Sequence, residues 1–294
     1  MHKLIINIFI SLAFSLAVTF CGRLVQADDT LNIMSFNIRY NNPGDGDNAW
    51  PNRKDMAASV IRFHGADIAG LQEALKGQLD DLAERLPEYS WFGVGRDDGK
   101  EAGEYSCIFY LKERLELLDS GTFWLSENPS AFGIGWDAVC NRVVTWGKFR
   151  DKENGKEFFH FNTHFDHKGV TARRESARLL LTKTAGIAGE TPFTVSGDFN
   201  ARPADEPIRV ILEGLPGNSA SKLTDSRLIS RAPHHGPSGT WSGFKSAGSK
   251  GDEPIDYIFV KNGVTVLRHG TLSDTFDGSF PSDHMPVVAE VLIK

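Results

Sequence analysis

The sequence predicts a single domain of mixed α and β structure, on three observations. The chain after its first segment opens with a strand–helix–strand unit, its middle is a turn-rich run of strands that reads as antiparallel, and acid, amide and imidazole groups recur where apolar strands begin or end. At 294 residues with 40% hydrophobic content the chain is long enough for one large core, and no repeat, coiled coil or interdomain linker divides it.

The elements follow in order. Residues 31–38, Leu-Asn-Ile-Met-Ser-Phe-Asn-Ile, carry the period-two pattern of a strand. A Gly/Asn/Asp/Pro loop spans 41–52, and residues 53–63 place Met56, Val60 and Phe63 at helical spacing. Residues 67–71 form a short buried strand that ends at Gln72-Glu73, and 78–86 form an amphipathic helix stopped by Pro87. Strands are expected at 91–94, 106–110, 115–120, 143–149 and 158–163. The longest helical stretch is 171–187, with Ala177, Leu180 and Leu181 inward and Arg173, Arg174, Arg178 and Lys183 on other faces. That basic side suits phosphate, although such faces are more often merely solvated. Residues 193–195 run into a turn at Asp198, residues 255–260 and 287–293 supply later strands, and 233–251 read as a long surface loop rich in Gly, Ser, His and Pro.

The first segment reads differently. Lys3 precedes an apolar run over residues 4–20, and Val25 and Ala27 put small residues where a signal peptidase needs them, so 1–27 is expected to be a secretory signal peptide and 28–294 the folded domain. An uncleaved anchor is the weaker reading because Asn7, Ser11 and Ser15 interrupt the run, and Phe20 before Cys21 argues against lipidation. The mature protein would then be extracytoplasmic, secreted or periplasmic, with no stable membrane insertion. Loss of Lys3 and Arg23 takes the formal charge from −6 to −8, which argues against a tight duplex binder. Only Cys107 and Cys140 would remain, as one disulfide or as two buried thiols.

Taken singly, each polar strand-end residue has a bland explanation. Asn37 suits a turn, Glu73 the start of a helix, and Asp198 an Asx-turn. The ordered set is the stronger observation: Ser35-Phe36-Asn37, Leu71-Gln72-Glu73, Asn162-Thr163-His164, Gly197-Asp198-Phe199-Asn200, Ile255-Asp256-Tyr257-Ile258-Phe259 and Ser282-Asp283-His284. Hydrolysis of a phosphate ester needs charge neutralisation on non-bridging oxygens, an activated in-line water and a stabilised leaving oxygen, which hard cations with oxygen ligands help to supply.

This series resembles the endonuclease/exonuclease/phosphatase superfamily over nearly all of the mature chain. The run from Asn162 to His167 and the ending Pro281-Ser282-Asp283-His284 are most similar to its bacterial secreted members, akin to the carbon-catabolite-repressor-type deadenylase branch. The resemblance implies an α+β fold, a four-layer α/β/β/α sandwich of two mixed sheets packed face to face with helices outside. It implies that Glu73 and Asn37 hold Mg²⁺ or Mn²⁺ and that Asp283 completes the site. Asp198 would orient or deprotonate the attacking water, Asn200 would fix it or the phosphate, Asp256 would orient His284, and His164 would contact a non-bridging oxygen. An Asp beside a cation stays ionised, which favours Asp198 for water positioning and His284 for phosphate stabilisation or proton transfer; sequence leaves both open as the base.

Other residues lie near this pattern. Asp166 shares a strand face with His164 and is a candidate for substrate binding, His167 less so. Arg142 has the fork to grip a phosphate oxygen, a surface salt bridge being its commoner role. Trp241 and Phe244 suit base stacking, groove cover or core. His234-His235 read as surface residues, since neighbours in a loop point apart and no third ligand is near. The function expected is metal-dependent cleavage of phosphodiesters, in a nuclease or nucleotide phosphodiesterase. The alternative is a phosphomonoesterase or phospholipid-headgroup hydrolase of sphingomyelinase or inositol-phosphate phosphatase type, and a non-catalytic scaffold ranks last because no site residue is missing.

Overall fold

A computed structural model describes residues 29–246 and 251–294; the expected signal peptide lies outside the described residues. Strand β1 (Thr30–Asn37), helix α1 (Lys54–Phe63) and strand β2 (Ile68–Ala74) form the opening unit, and β1 and β2 pair in parallel. Helix α2 (Lys76–Arg85) follows, then β3 (Tyr89–Phe92), β4 (Tyr105–Leu111), β5 (Leu115–Trp124), β6 (Val143–Asp151) and β7 (Glu157–His164). Helix α3 (Val170–Ala188) returns the chain to β8 (Phe193–Asp198), which lies parallel to β7. The rest comprises α4 (Glu206–Glu213), β9 (Thr224–Asp225), α5 (Ser226–Ile229), β10 (Asp256–Lys261), β11 (Val264–Thr271) and β12 (Val287–Ile293).

Two six-stranded sheets result, ordered β11-β12-β1-β2-β4-β3 and β5-β6-β7-β8-β10-β9. Each holds one parallel pair among antiparallel ones, so both are mixed, as expected. The expected antiparallel middle is present but divided: β3 and β4 join the first sheet, β5, β6 and β7 the second. Three cores define four layers. Ile33, Ile68, Ile108, Phe149, Phe158 and Ile258 pack between the sheets. Met34, Phe36 and Leu71 meet Ile61 and Leu79 of the first helix pair, and Phe161 and Val195 meet Leu180, Leu181 and Ile211 of α3 and α4. Alternation along β1 thus sends Ile33 inward and Met34 outward.

The space between the sheets also holds polar groups. Gln72 Nε2 donates to Asn162 Oδ1 across the sheets (2.7 Å), Ser196 Oγ donates to the same oxygen (3.0 Å), and His160 bridges Ser196 (3.0 Å) and Thr194 (2.7 Å). Gly70 lies against this network, and a Cβ there would come 2.2 Å from Ser196 Oγ. A buried chain of this kind is tolerated because most of its groups satisfy one another, Gln72 Oε1 being left without a partner.

Some local expectations change. In α1 the buried face is Ala57, Ala58, Val60 and Ile61, whereas Phe63, the last helical residue, is 82% exposed. The face of α3 is as expected, and its arginines are held at the surface: Arg174 and Arg178 both bond Glu175 (2.8 Å each). Cys107 is buried on β4 and Cys140 lies 3.6 Å from an Asp166 oxygen, so both are free thiols rather than a disulfide. His235 is exposed as expected; His234 is half-buried, sharing a hydrogen bond of 2.9 Å with His269 and donating to the Pro237 carbonyl (2.8 Å). Among the described residues no helix is long and apolar enough to cross a membrane.

Candidate active site

Parallel strands that end together leave their last residues on one rim, and antiparallel neighbours begin there. β1 and β2 deliver Asn37 and Glu73, β7 and β8 deliver His164 and Asp198 side by side, and β10 starts with Asp256 opposite Asp198. Asp283 and His284 arrive just before β12, which pairs with β1. Backbone irregularities aim two of these side chains. The β2–β4 register breaks between Leu71 and Ala74, and Glu73 has φ of 61°; Asn200 has φ of 47° in the turn after β8. Left-handed non-glycine residues are strained and collect at functional sites.

The side chains form one continuous network. Asn37 Nδ2 donates to Glu73 Oε1 and to Asp198 Oδ2, each at 3.0 Å. Asp198 accepts the Asn200 backbone N–H (2.9 Å) and lies 3.4 Å from His164 Nε2 and 3.8 Å from His284 Nε2. His284 Nδ1–H donates to Asp256 Oδ2 (2.9 Å), and the Thr240 hydroxyl donates to the same oxygen (2.6 Å). Ligand atoms of Asp198, Asp256 and His284 lie within 4.8 Å of one another. Glu73 and Asp283 face a common guanidinium, Arg39, at 3.7 and 4.0 Å, which also holds Asp45 with two bonds of 3.0 and 3.1 Å. All eight catalytic and metal candidates therefore meet at one rim.

Asn200 fixes a tautomer. Its amide nitrogen donates both to the Phe165 carbonyl and to His164 Nε2, at 3.0 Å each, so Nε2 carries the lone pair and the proton is on Nδ1. That Nδ1 is buried without a hydrogen-bond partner, 4.0 Å from Glu104, whose carboxylate grips Arg96 through bonds of 2.7 and 2.9 Å. In this state His164 orients Asn200.

Burial raises the Asp198 carboxyl, reinforced by the charge of Asp256, and burial and Glu73 raise Asp283. Burial works against the His284 imidazolium, but Asp256, Asp198 and Asp283 more than offset it and hold the ring well above its ordinary value. Burial, with Arg142 and Arg96, pushes His164 well below it. Glu73, Asp198, Asp256 and Asp283 thus exceed the positive charge beside them, and Asp256 Oδ1 is buried without a partner. Carboxylate and amide oxygens in excess of local positive charge fit a hard divalent cation.

The three candidates for substrate binding fare unequally. Arg142 is buried, which corrects the expectation of a surface salt bridge: Nε lies 3.4 Å from Asp166, Nη2 donates to His167 Nδ1 (3.0 Å), and Nη1 is buried and unpaired. Asp166 is not at the substrate position. β7 ends at His164, so alternation stops there; Asp166 is 1% exposed and accepts the backbone N–H groups of Val139, Lys168 and Gly169 (3.2, 2.9 and 2.7 Å), which lower its carboxyl to about 2 against the effect of burial. Its place with Cys140 and His167 makes a second cluster of metal-type donors, but the Arg142 guanidinium occupies the same contacts and opposes a cation there. Trp241 is 58% exposed and its backbone bridges His284, which puts the indole on the rim.

Sequence reasoning missed Thr240, Arg39, Arg96, Glu104 and the buried Arg53. The expected surface loop is in part woven into the site, since the Ser242 and Gly243 N–H groups donate to the Asp283 carbonyl (2.7 and 3.0 Å) and Met285 N–H to that of Thr240 (2.6 Å). The available signal was position: Thr240 precedes Trp241, and Glu104 precedes a strand, as the recognised residues do.

Known proteins are similar to this chain in sequence and fold. A structure from Bacteroides vulgatus titled as an endonuclease/exonuclease/phosphatase is 43% identical, covers 90% of this chain and 99% of its own, and has a TM-score of 0.84. A mannosyl-6-phosphatase from Bacteroides thetaiotaomicron is 36% identical, with coverage of 90% and 100% and a TM-score of 0.83. Nocturnin of Drosophila melanogaster is 27% identical over 92% of this chain, which spans 48% of that protein, and it supports the likeness to the deadenylase branch. Residues 34–284 match the Endonuclease/Exonuclease/phosphatase family, and the chain belongs to that family of metal-dependent phosphoester hydrolases.

Proposed function

We propose that this enzyme is a phosphomonoesterase acting on a small phosphorylated polyol such as a sugar phosphate, with Mg²⁺ or Mn²⁺ as its cation. The observation that carries this reading is the commitment of the nearby guanidinium groups: Arg39 to Asp45, Arg96 to Glu104, Arg142 to Asp166. A nuclease lays out Lys and Arg along a track of phosphates, whereas here these cations are drawn inward by carboxylates in a chain of formal charge −6. The similarity to a mannosyl-6-phosphatase supports the same choice. This reverses the preference drawn from sequence alone, and a nucleotide phosphodiesterase stands second because exposed Trp241 beside His284 offers a stacking surface.

Glu73, with Asn37 and Asp283, would hold the cation, which when bound supplies positive charge against the phosphoryl oxygens. Asp198, oriented by Asn37 and Asn200, positions the attacking water. The His284 imidazolium, fixed by Asp256 and Thr240, donates toward the phosphoryl or leaving oxygen. We retain cleavage after residue 27 and an extracytoplasmic location, supported by Lys3 and the apolar run behind it; N-terminal sequencing of exported protein tests both.

The deciding experiment compares purified enzyme, with Mg²⁺ and with Mn²⁺, on hexose 6-phosphates, bis(p-nitrophenyl) phosphate, oligonucleotides and sphingomyelin vesicles. The reading expects monoester kcat/KM to exceed the diester values at least about tenfold. Preference for any diester refutes it.

A further inference from the structure

Arg53 is 1% exposed and, among the largest fully buried side chains of the described residues, the one that carries a charge. Its hydrogen bonds run to carbonyls instead of carboxylates: Nε to Asn48 (2.5 Å), Nη1 to both Ile38 and Pro281 (2.8 Å each), and Nη2 to Arg39 (3.2 Å). The guanidinium lies over the rings of Trp50 and Phe244, 5.4 and 5.3 Å from their centroids. Burial lowers its pKa to about 10, and the carboxylates that act on it through space are Asp283, Asp45 and Glu73.

A buried charge without a contacting counter-ion is unfavourable, and an apolar side chain would fill the volume more cheaply. The bland role is a staple for the loop over 41–52. The carbonyls chosen indicate more than that. Ile38 and Arg39 directly follow Asn37, and Pro281 directly precedes Ser282-Asp283-His284, so a single nitrogen spans the two segments that bring cation ligands from opposite ends of the chain. The Ser282 hydroxyl ties the same segments by donating to the Asn37 carbonyl (2.6 Å). Phe244, left-handed at φ of 59°, adds the loop that presents Trp241.

We propose that Arg53 is a positioning residue for phosphoester hydrolysis, its guanidinium fixing the spacing between Asn37 and the Asp283–His284 turn and linking the seating of the Trp241–Phe244 loop to the cation ligands. The proposal rests on the reading of this rim as a metal-dependent phosphoesterase site. Outer residues that orient ligands typically change affinity or activity 10- to 100-fold.

The test is Mn²⁺ titration followed by electron paramagnetic resonance, with p-nitrophenyl phosphate kinetics at saturating Mn²⁺, on wild type and Arg53→Lys. The lysine keeps the charge and loses the fork. The expected result is a folded variant whose Mn²⁺ Kd rises at least about tenfold and whose kcat falls at least about tenfold, with KM within roughly threefold. Wild-type Kd and kcat in a variant that merely melts earlier would overturn the proposal. Should Arg53→Lys not fold, Phe244→Leu removes a ring and none of the guanidinium hydrogen bonds; a rise in Mn²⁺ Kd of at least about threefold supports the link, and an unchanged Kd overturns it. Wild type that binds no Mn²⁺ would refute the site reading itself, and the proposal with it.

Discussion

Acid should weaken this fold through a buried imidazole, His160, whose proton affinity is set by burial alone. His160 is fully buried between the sheets, and burial lowers its pKa from 6.5 to about 3. Ser196 Oγ gives its proton to Asn162, so it accepts from His160 Nε2–H, and Nδ1 accepts from Thr194; the ring is neutral and has no place for a second proton. As pH falls below 6.5 the unfolded chain takes up a proton that the folded chain refuses until about 3, so stability is lost across that window. Integration gives a loss of about 2 kcal/mol between pH 7 and pH 5 from this group.

Asp67 and Asp225, both raised to about 6 by burial, act in the opposite sense, gaining stability as pH falls through that value. The assay therefore compares urea unfolding of wild type and His160→Gln at both pH values. The glutamine amide keeps a donor toward Ser196, leaves the Thr194 hydroxyl without its acceptor, and costs about 1–3 kcal/mol at pH 7. Wild type should lose about 2 kcal/mol more than the variant on going to pH 5. Equal pH dependence would show that His160 is protonated in the folded state or that the site is wet.

On the proposed mechanism, Asp198→Ala and His284→Ala should each lower turnover at least about a hundredfold with near-ultraviolet circular dichroism unchanged, because the first removes the carboxylate proposed to position the water and the second the proposed imidazolium donor. Retained turnover in both undoes the assignment. Gly70→Ala should destabilise by about 1–3 kcal/mol in urea titration, since its Cβ meets Ser196 Oγ at 2.2 Å. Removing that oxygen as well, by Ser196→Ala, should relieve part of the loss, and strict additivity would contradict the contact. Chelation with EDTA should abolish hydrolysis and Mg²⁺ or Mn²⁺ should restore it; activity that survives exhaustive chelation excludes the metal chemistry assigned to Glu73 and Asp283.

Strands with clean alternation, such as β1, and the long amphipathic α3 were legible in the sequence because burial imposes one period on them. Strand β11 was not: Arg268 and Gly270 break its pattern, and its pairing with β12 shifts between Val266 and Arg268. The site was legible where chemistry falls at a strand end, which is why Asn37, Glu73, Asp198 and His284 were found together. It was illegible where a residue acts through the backbone. Asp166 reads as a candidate for substrate binding only if alternation is extended past the last residue of β7, and Arg53 reads as the start of a helix because its partners are carbonyls, which leave no trace in residue type.

The last strand, β12, lies against the first, β1, with Leu292 opposite Thr30 and Val287 opposite Ser35. Synthesis therefore makes the interior of this sheet last, and the two residues that finish the rim, Asp283 and His284, emerge only just before it. A fragment that stops upstream of Val287 leaves β1 without its antiparallel neighbour, an open edge that invites pairing with another chain.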